Sequence, residues 1–185
     1  MSNKKCAVIY SGKHGTTQRY AQWIAEACGA DLIPVEQAVV DDLVVYEKII
    51  YGGAVYAGRI MGIQLLKQNR DLLKNADLAV YTVGLTQPGD EAAFEEVLVR
   101  NFTREERQGI CFFHFPGALD YETMNGVERI MMRVLKKSIE KKSAGQRSQF
   151  EKYILDSFGG KADFTARAYI NPLVDWVKDT KKAEK

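Results

Sequence analysis

The segment between positions 11 and 17 gathers residue types that can bind an anion, reading Ser-Gly-Lys-His-Gly-Thr-Thr. It stands directly after an apolar run and directly before a pattern typical of a helix. Hydroxyls and backbone N–H groups at the start of a helix bind phosphate, and the helix dipole adds a favourable field. Gly15 permits close approach of the backbone, and Thr17 can act both as helix N-cap and as phosphate ligand. The candidate phosphate-binding residues are Ser11, Gly12, Lys13, His14, Gly15, Thr16 and Thr17.

The spacing of the glycines in this segment excludes two other phosphate-binding motifs. A dinucleotide fingerprint requires G-x-G-x-x-G, and a Walker loop requires G-x-x-x-x-G-K-[ST]. Here the glycines stand at positions 12 and 15, and no lysine follows the second. Hydroxyl-rich turns before helices are common, so the segment alone is equally compatible with a turn that binds no ligand.

Five continuous apolar runs predict strands that are buried on both faces of a parallel sheet. They are Cys6–Tyr10, Leu32–Val35, Lys48–Gly52, Leu78–Val83 and Ile110–Phe115. Gly29 is placed to end the first of the predicted helices. These helices are Thr17–Cys28, Met61–Lys74, Glu91–Phe102 and Ala168–Thr180, while Gln37–Glu47 has no clean period. Strands that alternate with helices predict a three-layer α/β sandwich with right-handed crossovers.

The residues around the first loop fall on a known pattern of an apolar pair, an aromatic, a loop with hydroxyl and small residues, and the start of a helix. The matching residues are Val8, Ile9, Tyr10, Gly15, Thr17, Ala21 and Ile24. In this the chain resembles the flavodoxin-like FMN-binding family. Gly12 departs from the pattern, which has Ser or Thr there, and Ser11 or a backbone N–H can replace the lost hydroxyl. The resemblance implies a five-stranded sheet of order 2-1-3-4-5 and FMN held at residues 11–17.

In that family the flavin ring lies between the loops after the third and fourth strands, often against an aromatic side chain. Here Tyr56 offers a stacking face, and the small residues beside it let the backbone reach the ring. The alternative is a turn with a surface tyrosine. After the fourth strand, Thr86 and backbone amides can bond the pyrimidine edge of the ring or the phosphate. The implied ring contacts are Ala54, Val55, Tyr56, Ala57, Gly58, Val83, Gly84, Leu85 and Thr86.

No separate catalytic group or metal site is predicted, because a flavin carries the redox chemistry and the protein tunes its potential. His14 and His114 are the only histidines, which excludes a histidine-rich metal site. His14 can lend positive charge to the first loop or be solvated, and His114 is predicted to be a structural residue. Cys6, Cys28 and Cys111 have no CxxC spacing and are predicted to be buried, reduced thiols.

The composition of the whole chain narrows the class of protein further. Its 185 residues predict a single domain over positions 1–185, and 26 Lys and Arg against 24 Asp and Glu argue against a nucleic-acid binder. No apolar run reaches the roughly 18 residues of a membrane span. Positions 1–5 lead into the first strand without the apolar stretch of an export signal, which predicts a cytoplasmic protein.

An added segment of about 50 residues, approximately 118–167, follows the fifth predicted strand. Positions 127–142 predict an amphipathic basic helix, and residues 129–152 carry a net charge of +6, compared with −2 for residues 1–110. Three interpretations are open: a packed helix with a solvated basic face, a surface for anionic lipid or a membrane-borne partner, and a nucleic-acid patch. The last is disfavoured because no aromatic residues are interleaved with the charges. Beyond this helix, breaks are expected at 143–146 and 159–160.

A narrower resemblance rests on the start of the added segment. Gly117, Ala118, Leu119 and Tyr121, followed by the basic run 129–137, are similar to the flavodoxin-domain subfamily that includes menaquinone-dependent protoporphyrinogen dehydrogenases. Membership of that subfamily implies FMN, electron delivery to a quinone at the membrane and oxidation of a porphyrinogen.

Two departures from this subfamily keep a second class of protein open. Asp120 replaces a basic residue, and Asp90 and Glu91 make the loop after the fourth strand acidic. The alternative is a flavodoxin-type carrier that shuttles electrons between redox partners. Such carriers resemble acidic proteins that meet basic partners, so the concentrated positive charge here favours an FMN-dependent oxidoreductase. A flavin-binding regulatory module is a third class.

Overall fold

The computed structural model describes residues 5–179. Two predictions extend beyond the described residues. The prediction about export uses positions 1–4, and the last predicted helix ends at Thr180. The strands are β1 (Cys6–Ser11), β2 (Asp31–Pro34), β3 (Lys48–Tyr56), β4 (Arg59–Ile60), β5 (Asp77–Gly84), β6 (Ile110–Pro116), β7 (Ala118–Asp120) and β8 (Lys161–Asp163). The α-helices are α1 (Thr16–Cys28), α2 (Val40–Leu43), α3 (Gln64–Gln68), α4 (Glu91–Asn101), α5 (Gly126–Glu140), α6 (Gln149–Asp156) and α7 (Asn171–Lys178). Short 3₁₀ helices span Val35–Gln37, Ala144–Gln146 and Arg167–Ile170.

The central sheet has parallel strands in the order β2-β1-β3-β5-β6, which confirms the predicted order and the α/β sandwich. Val8 of β1 stands opposite Leu32 of β2 and Ile50 of β3. The row continues through Ala79 of β5 to Cys111 of β6. The short strand β4 pairs antiparallel with the end of β3. Because the five strands are parallel, the carboxyl ends of β1, β3 and β5 meet at one edge of the sheet.

Successive residues of the central strands pack against opposite faces of the sheet, which explains their continuous apolar runs. Val8, Ile50 and Ala79 belong to the cluster that includes residues of α1 and α7. Ile9 and Val80 belong to the cluster on the other face, with residues of α3 and α4. Each face therefore has its own core, and the sheet lies between the two helical layers.

Local backbone features set the ends of two helices. Gly29 ends α1 with a φ of +63°, as predicted, and its N–H donates to the carbonyl of Ala25. The predicted helix over 61–74 is wrong in extent, since α3 covers only its middle. Just before α3, Gly62 has a φ of +66°. At the end of α3, the side-chain amide of Asn69 donates a hydrogen bond to the Leu65 carbonyl.

The added segment forms its own small core beside the sheet. β7 and β8 pair antiparallel. The buried residues of this small core are Leu119, Met132, Ile139, Ile154 and Ala162. Both predicted breaks are present, as the 3₁₀ helix after α5 and as a φ of +89° at Gly159. The N–H of Phe164 donates to the Gly117 carbonyl at 3.1 Å, so the segment leaves and rejoins the rest of the fold at one place.

Within residues 5–179, every helix falls short of the length and hydrophobicity that a membrane span requires.

Cys6 is buried, Cys28 and Cys111 are half-buried, and all three are free thiols. Burial, reinforced by the neighbouring Cys28, raises the pKa of Cys6 to about 12, so this thiol is protonated and unreactive at neutral pH.

Candidate functional site

A cleft of about 140 Å³ opens at the sheet edge where the carboxyl ends of β1, β3 and β5 meet. Doubly wound sheets bind their ligands at this edge. The structure brings most of the predicted site residues together on the walls of the cleft. They are Lys13, His14, Thr16 and Thr17 from the first loop and α1, Ala54, Val55 and Tyr56 from β3, and Val83, Gly84 and Leu85 from β5 and its loop.

Gly15 shapes the loop between β1 and α1. It adopts a left-handed φ of +76° and forms the N-cap of α1. The prediction that Thr17 is the N-cap is therefore wrong: the helix begins at Thr16, because glycine takes this cap conformation without strain. Among residues 5–179, no side chain caps the start of α1, so the N–H groups of its first turn can bind an anion.

The sheet core fixes the position of Thr17. The fully buried Tyr81 donates its hydroxyl proton to the Thr17 carbonyl at 3.1 Å. Gly12 packs against the same residue, since a Cβ atom there would stand 2.6 Å from the Oγ1 atom of Thr17. This close approach explains the departure at Gly12: a serine or threonine at this position would displace Thr17.

Some predicted positions do not line the cleft. They are Ser11, Gly12, Gly15, Ala57, Gly58 and Thr86. Ser11 is buried at the end of β1, and Gly12 and Gly15 shape the first loop through their backbones. Ala57 and Gly58 form the tight turn between β3 and β4, where both have positive φ. Thr86 lies beyond the rim and offers its carbonyl oxygen to the Nε2 atom of His114 at 3.3 Å.

His114 is a structural residue, which confirms the prediction. Its Nδ1 atom lies 2.8 Å from the Oγ1 atom of Thr82, and its Nε2 atom reaches the Thr86 carbonyl. Burial lowers the pKa of His114 and outweighs the bond to Thr86, so the imidazole is neutral at neutral pH. These contacts hold the loop after β5 against β6.

Tyr56 presents a half-buried aromatic ring on the wall of the cleft. The ammonium group of Lys13 lies 5.0 Å from the centroid of this ring, and the ring centroid of His14 is 6.3 Å away. Burial, together with the negative charge of Glu128, raises the pKa of Tyr56 to about 12. The phenol is therefore neutral at neutral pH, as suits an aromatic platform for a planar ligand.

The added segment supplies a wall that sequence reasoning missed. Its residues on the cleft, which adjoin Gly117, are Ala118, Leu119, Met124, Glu128, Met131 and Met132. Glu128, Met131 and Met132 are three and four residues apart and share one face of α5. Asn125 and Glu128 form a capping box that fixes the start of this helix. An asparagine followed three residues later by a glutamate is the sequence signal that could have located this start.

Glu128 brings a carboxylate to the first loop. Its Oε1 atom lies 3.4 Å from the Nε2 atom of His14, and its Oε2 atom accepts the N–H of Asn125 at 2.9 Å. Burial acts to raise the pKa of this carboxyl, but the hydrogen bonds from Asn125 and His14 and the electrostatic interactions with His14 and Lys13 outweigh burial and lower it. Glu128 is therefore ionised at neutral pH although only 7% of its surface is exposed.

The chemistry of the walls suits a ligand with an anionic end and a planar apolar body. The uncapped start of α1, the Thr16 hydroxyl and the Lys13 ammonium are donors for the anionic end. Val55, Leu85 and the methionines of α5 offer apolar contact to the planar part. In the part of the chain that the structure describes, no cluster of His, Cys, Asp and Glu is arranged to hold a metal ion.

A parallel sheet of order β2-β1-β3-β5-β6, with a cleft at the carboxyl ends of its strands, is typical of the flavodoxin-like fold. A sequence model described as "Flavodoxin domain" matches residues 7–145, and the chain belongs to this family. No curated protein matches the chain.

Several solved structures are similar to the chain. A flavodoxin from the domain Archaea is 16% identical, with 60% of this chain and 84% of that chain covered and a TM-score of 0.38. The Trp repressor binding protein of Bacillus subtilis is 17% identical, with 61% and 83% covered and a TM-score of 0.42. The two-electron reduced flavodoxin of Megasphaera elsdenii is 15% identical, with 59% and 82% covered and a TM-score of 0.41.

Proposed function

We propose that the protein binds FMN in this cleft and acts as a redox protein. The observation that carries the proposal is the meeting of an uncapped helix start with an aromatic and apolar wall in one cleft. The phosphate would be held by the loop of Lys13 and His14 and by the start of α1, and the ring would be flanked by Tyr56 and the Gly84 loop. Membership of the flavodoxin domain family supports the same cofactor.

The chain's own residues would orient the cofactor and restrict its surroundings. A bound flavin supplies one- and two-electron transfer. The Tyr81 hydroxyl donates a hydrogen bond to the Thr17 carbonyl and thereby fixes the start of α1 relative to the sheet. His114 fixes the loop that carries Gly84 and Leu85 through its contact with Thr86. Met131 and Met132 would exclude water from one side of the ligand.

Flavin uptake tests the proposal directly. FMN added to flavin-free protein is expected to bind with quenching of its fluorescence and a stoichiometry of about one per chain. Riboflavin, which lacks the phosphate, is expected to bind more weakly. If the purified protein has no flavin absorbance and takes up no added FMN, the proposal is wrong.

We further propose that the protein is an oxidoreductase of the protoporphyrinogen dehydrogenase type, which passes electrons from a reduced organic substrate to a quinone. The added segment supports this activity, because Leu119, Met131 and Met132 make one side of the cleft apolar and adaptable, as large flat substrates require. The alternative is a flavodoxin-type carrier between redox proteins. Anaerobic turnover of protoporphyrinogen with a menaquinone analogue, compared with reduction by a flavodoxin reductase, distinguishes the two.

The outward face of α5 supports contact with an anionic membrane. Val127, Ile130 and Val134 are 67%, 58% and 63% exposed and form a stripe along α5, three and four residues apart. Arg133 and Lys137 flank this stripe, and neither forms an ion pair with any residue between 5 and 179. Exposed aliphatic groups beside unpaired cations suit an anionic lipid surface. We propose that the protein is cytoplasmic and makes peripheral contact with the inner face of the membrane through this face of α5.

Replacing Ile130 with Asp is expected to reduce binding to anionic liposomes by roughly fivefold or more, because it removes an apolar contact and adds a repelled charge. Val99→Asp is a matched control, since Val99 is 62% exposed on α4, and should bind like the unmodified protein. Co-sedimentation with vesicles of phosphatidylglycerol and phosphatidylcholine, at low and high salt, measures the effect. Equal sedimentation of the Ile130→Asp variant, or no sedimentation of the unmodified protein at low salt, contradicts the proposed contact.

A further inference from the structure

The Glu128 carboxylate stands in the cleft beside His14 and Lys13 of the first loop. Its Oε1 atom lies 3.4 Å from His14, and Lys13 is close enough to stabilise its charge. A phosphorylated ligand brought to this loop would meet that negative charge at close range, because the Glu128 side chain lines the same cleft as Lys13 and His14. Like charges placed together in such a site disfavour binding.

We propose that Glu128 competes with the anionic group of the ligand for the first loop, and that it thereby sets the preference of the cleft between phosphorylated and unphosphorylated flavins. This inference rests on the proposed FMN site and adds a specificity-determining residue to it. Without ligand, the carboxylate interacts with His14 and Lys13 and ties α5 to the first loop. When a phosphate enters, it replaces the carboxylate as the partner of Lys13 and His14.

The two oxygen atoms of Glu128 have separate roles, which makes the inference testable without unfolding the helix. Oε2 closes the capping box with the N–H of Asn125, whereas Oε1 faces His14. Glutamine at this position of a capping box can still accept the backbone bond. Glu128→Gln therefore removes the charge while preserving the start of α5.

Titration of FMN and of riboflavin into the unmodified protein and the Glu128→Gln variant tests the inference. The variant is expected to bind FMN roughly tenfold more tightly, while its affinity for riboflavin changes by less than about twofold, since only FMN carries the competing anion. Glu140→Gln is the matched control on the same helix, because Glu140 is exposed and its carboxylate, among residues 5–179, pairs only with Lys136 at 3.8 Å. Its affinities for both flavins should equal those of the unmodified protein.

The other outcomes overturn the inference. An unchanged affinity of Glu128→Gln for FMN means that the carboxylate does not compete. A weakened affinity for both flavins means that Glu128 holds the ligand instead of opposing it. If the unmodified protein binds no FMN, the proposed function fails and the inference is decided by a second measurement that uses inorganic phosphate.

That second measurement follows backbone hydrogen exchange over residues 124–132. Inorganic phosphate is expected to accelerate exchange there in the unmodified protein, because it releases Glu128 from the first loop, and to have little effect in Glu128→Gln. Sodium chloride at matched ionic strength is the control. Equal exchange with phosphate and with chloride overturns the inference independently of any flavin.

Discussion

Replacing Tyr56 with Ala is expected to weaken FMN binding by about 1–3 kcal/mol, which corresponds to roughly 5- to 150-fold in Kd. The ring of Tyr56 forms part of the cleft wall and is half-buried there. Its removal would take away the stacking surface and leave the Lys13 ammonium, now 5.0 Å from the ring centroid, without its aromatic neighbour. Fluorescence titration of the flavin-free variant with FMN measures the change.

Two further variants separate stacking from other effects of Tyr56. Tyr56→Phe keeps the ring and removes only the hydroxyl that interacts with Glu128, so its Kd should stay close to that of the unmodified protein. Tyr153→Ala removes an equally large but 49% exposed ring on α6 and should leave FMN binding unchanged. An unchanged Kd for Tyr56→Ala would place the flavin ring away from this side chain.

Replacing Gly52 with Ala is expected to lower the free energy of unfolding by about 3 kcal/mol, through overpacking of the core. A Cβ atom at this position would stand 2.0 Å from the Cζ atom of Tyr81. Tyr81 is fully buried and packs against Phe115 with ring centroids 5.2 Å apart, so it has little room to withdraw. Urea unfolding followed by circular dichroism measures the loss. Movement of Tyr81 would also disturb its bond to Thr17, and FMN affinity should fall as well.

A double variant tests whether Tyr81 is the cause. Gly52→Ala combined with Tyr81→Leu should be less destabilised than the sum of the two single variants, because leucine lacks the atoms that clash. Gly126→Ala is the control, since a Cβ atom placed there would meet no packed neighbour within 4 Å among residues 5–179. Additive energies in the double variant, or an unchanged stability of Gly52→Ala, would contradict the packing argument.

The sheet was predictable from the sequence because its strands are covered on both faces. A strand such as β5 is buried on both faces, and its residues from Leu78 to Val83 are therefore apolar except for the buried Thr82. The extent of α3 was not predictable in the same way. Its ends depend on the φ angle of Gly62 and on a side-chain bond from Asn69, and hydrophobic spacing reports neither.

The same distinction applies to the cleft. The loops after β1, β3 and β5 could be assigned to one site because topology brings the ends of parallel strands together. The wall from α5 could not, because the face that a helix turns inward depends on its packing partners, here β7, β8 and α6. The basic residues of this helix predict an outer face, whereas the spacing of Glu128 and Met132 does not indicate what their side chains contact.

The hydrogen bond between Gly117 and Phe164 affects which parts of this protein can vary in evolution. The two residues are hydrogen-bonded, so the chain between them begins and ends at the same point while β6 stops before it and α7 starts after it. A segment attached in this way can be lengthened, shortened or exchanged without moving the strands of the central sheet. The apolar wall of the cleft and the exposed aliphatic stripe of α5, to which we assign contact with the substrate and with a membrane, can therefore diverge while the central sheet is retained.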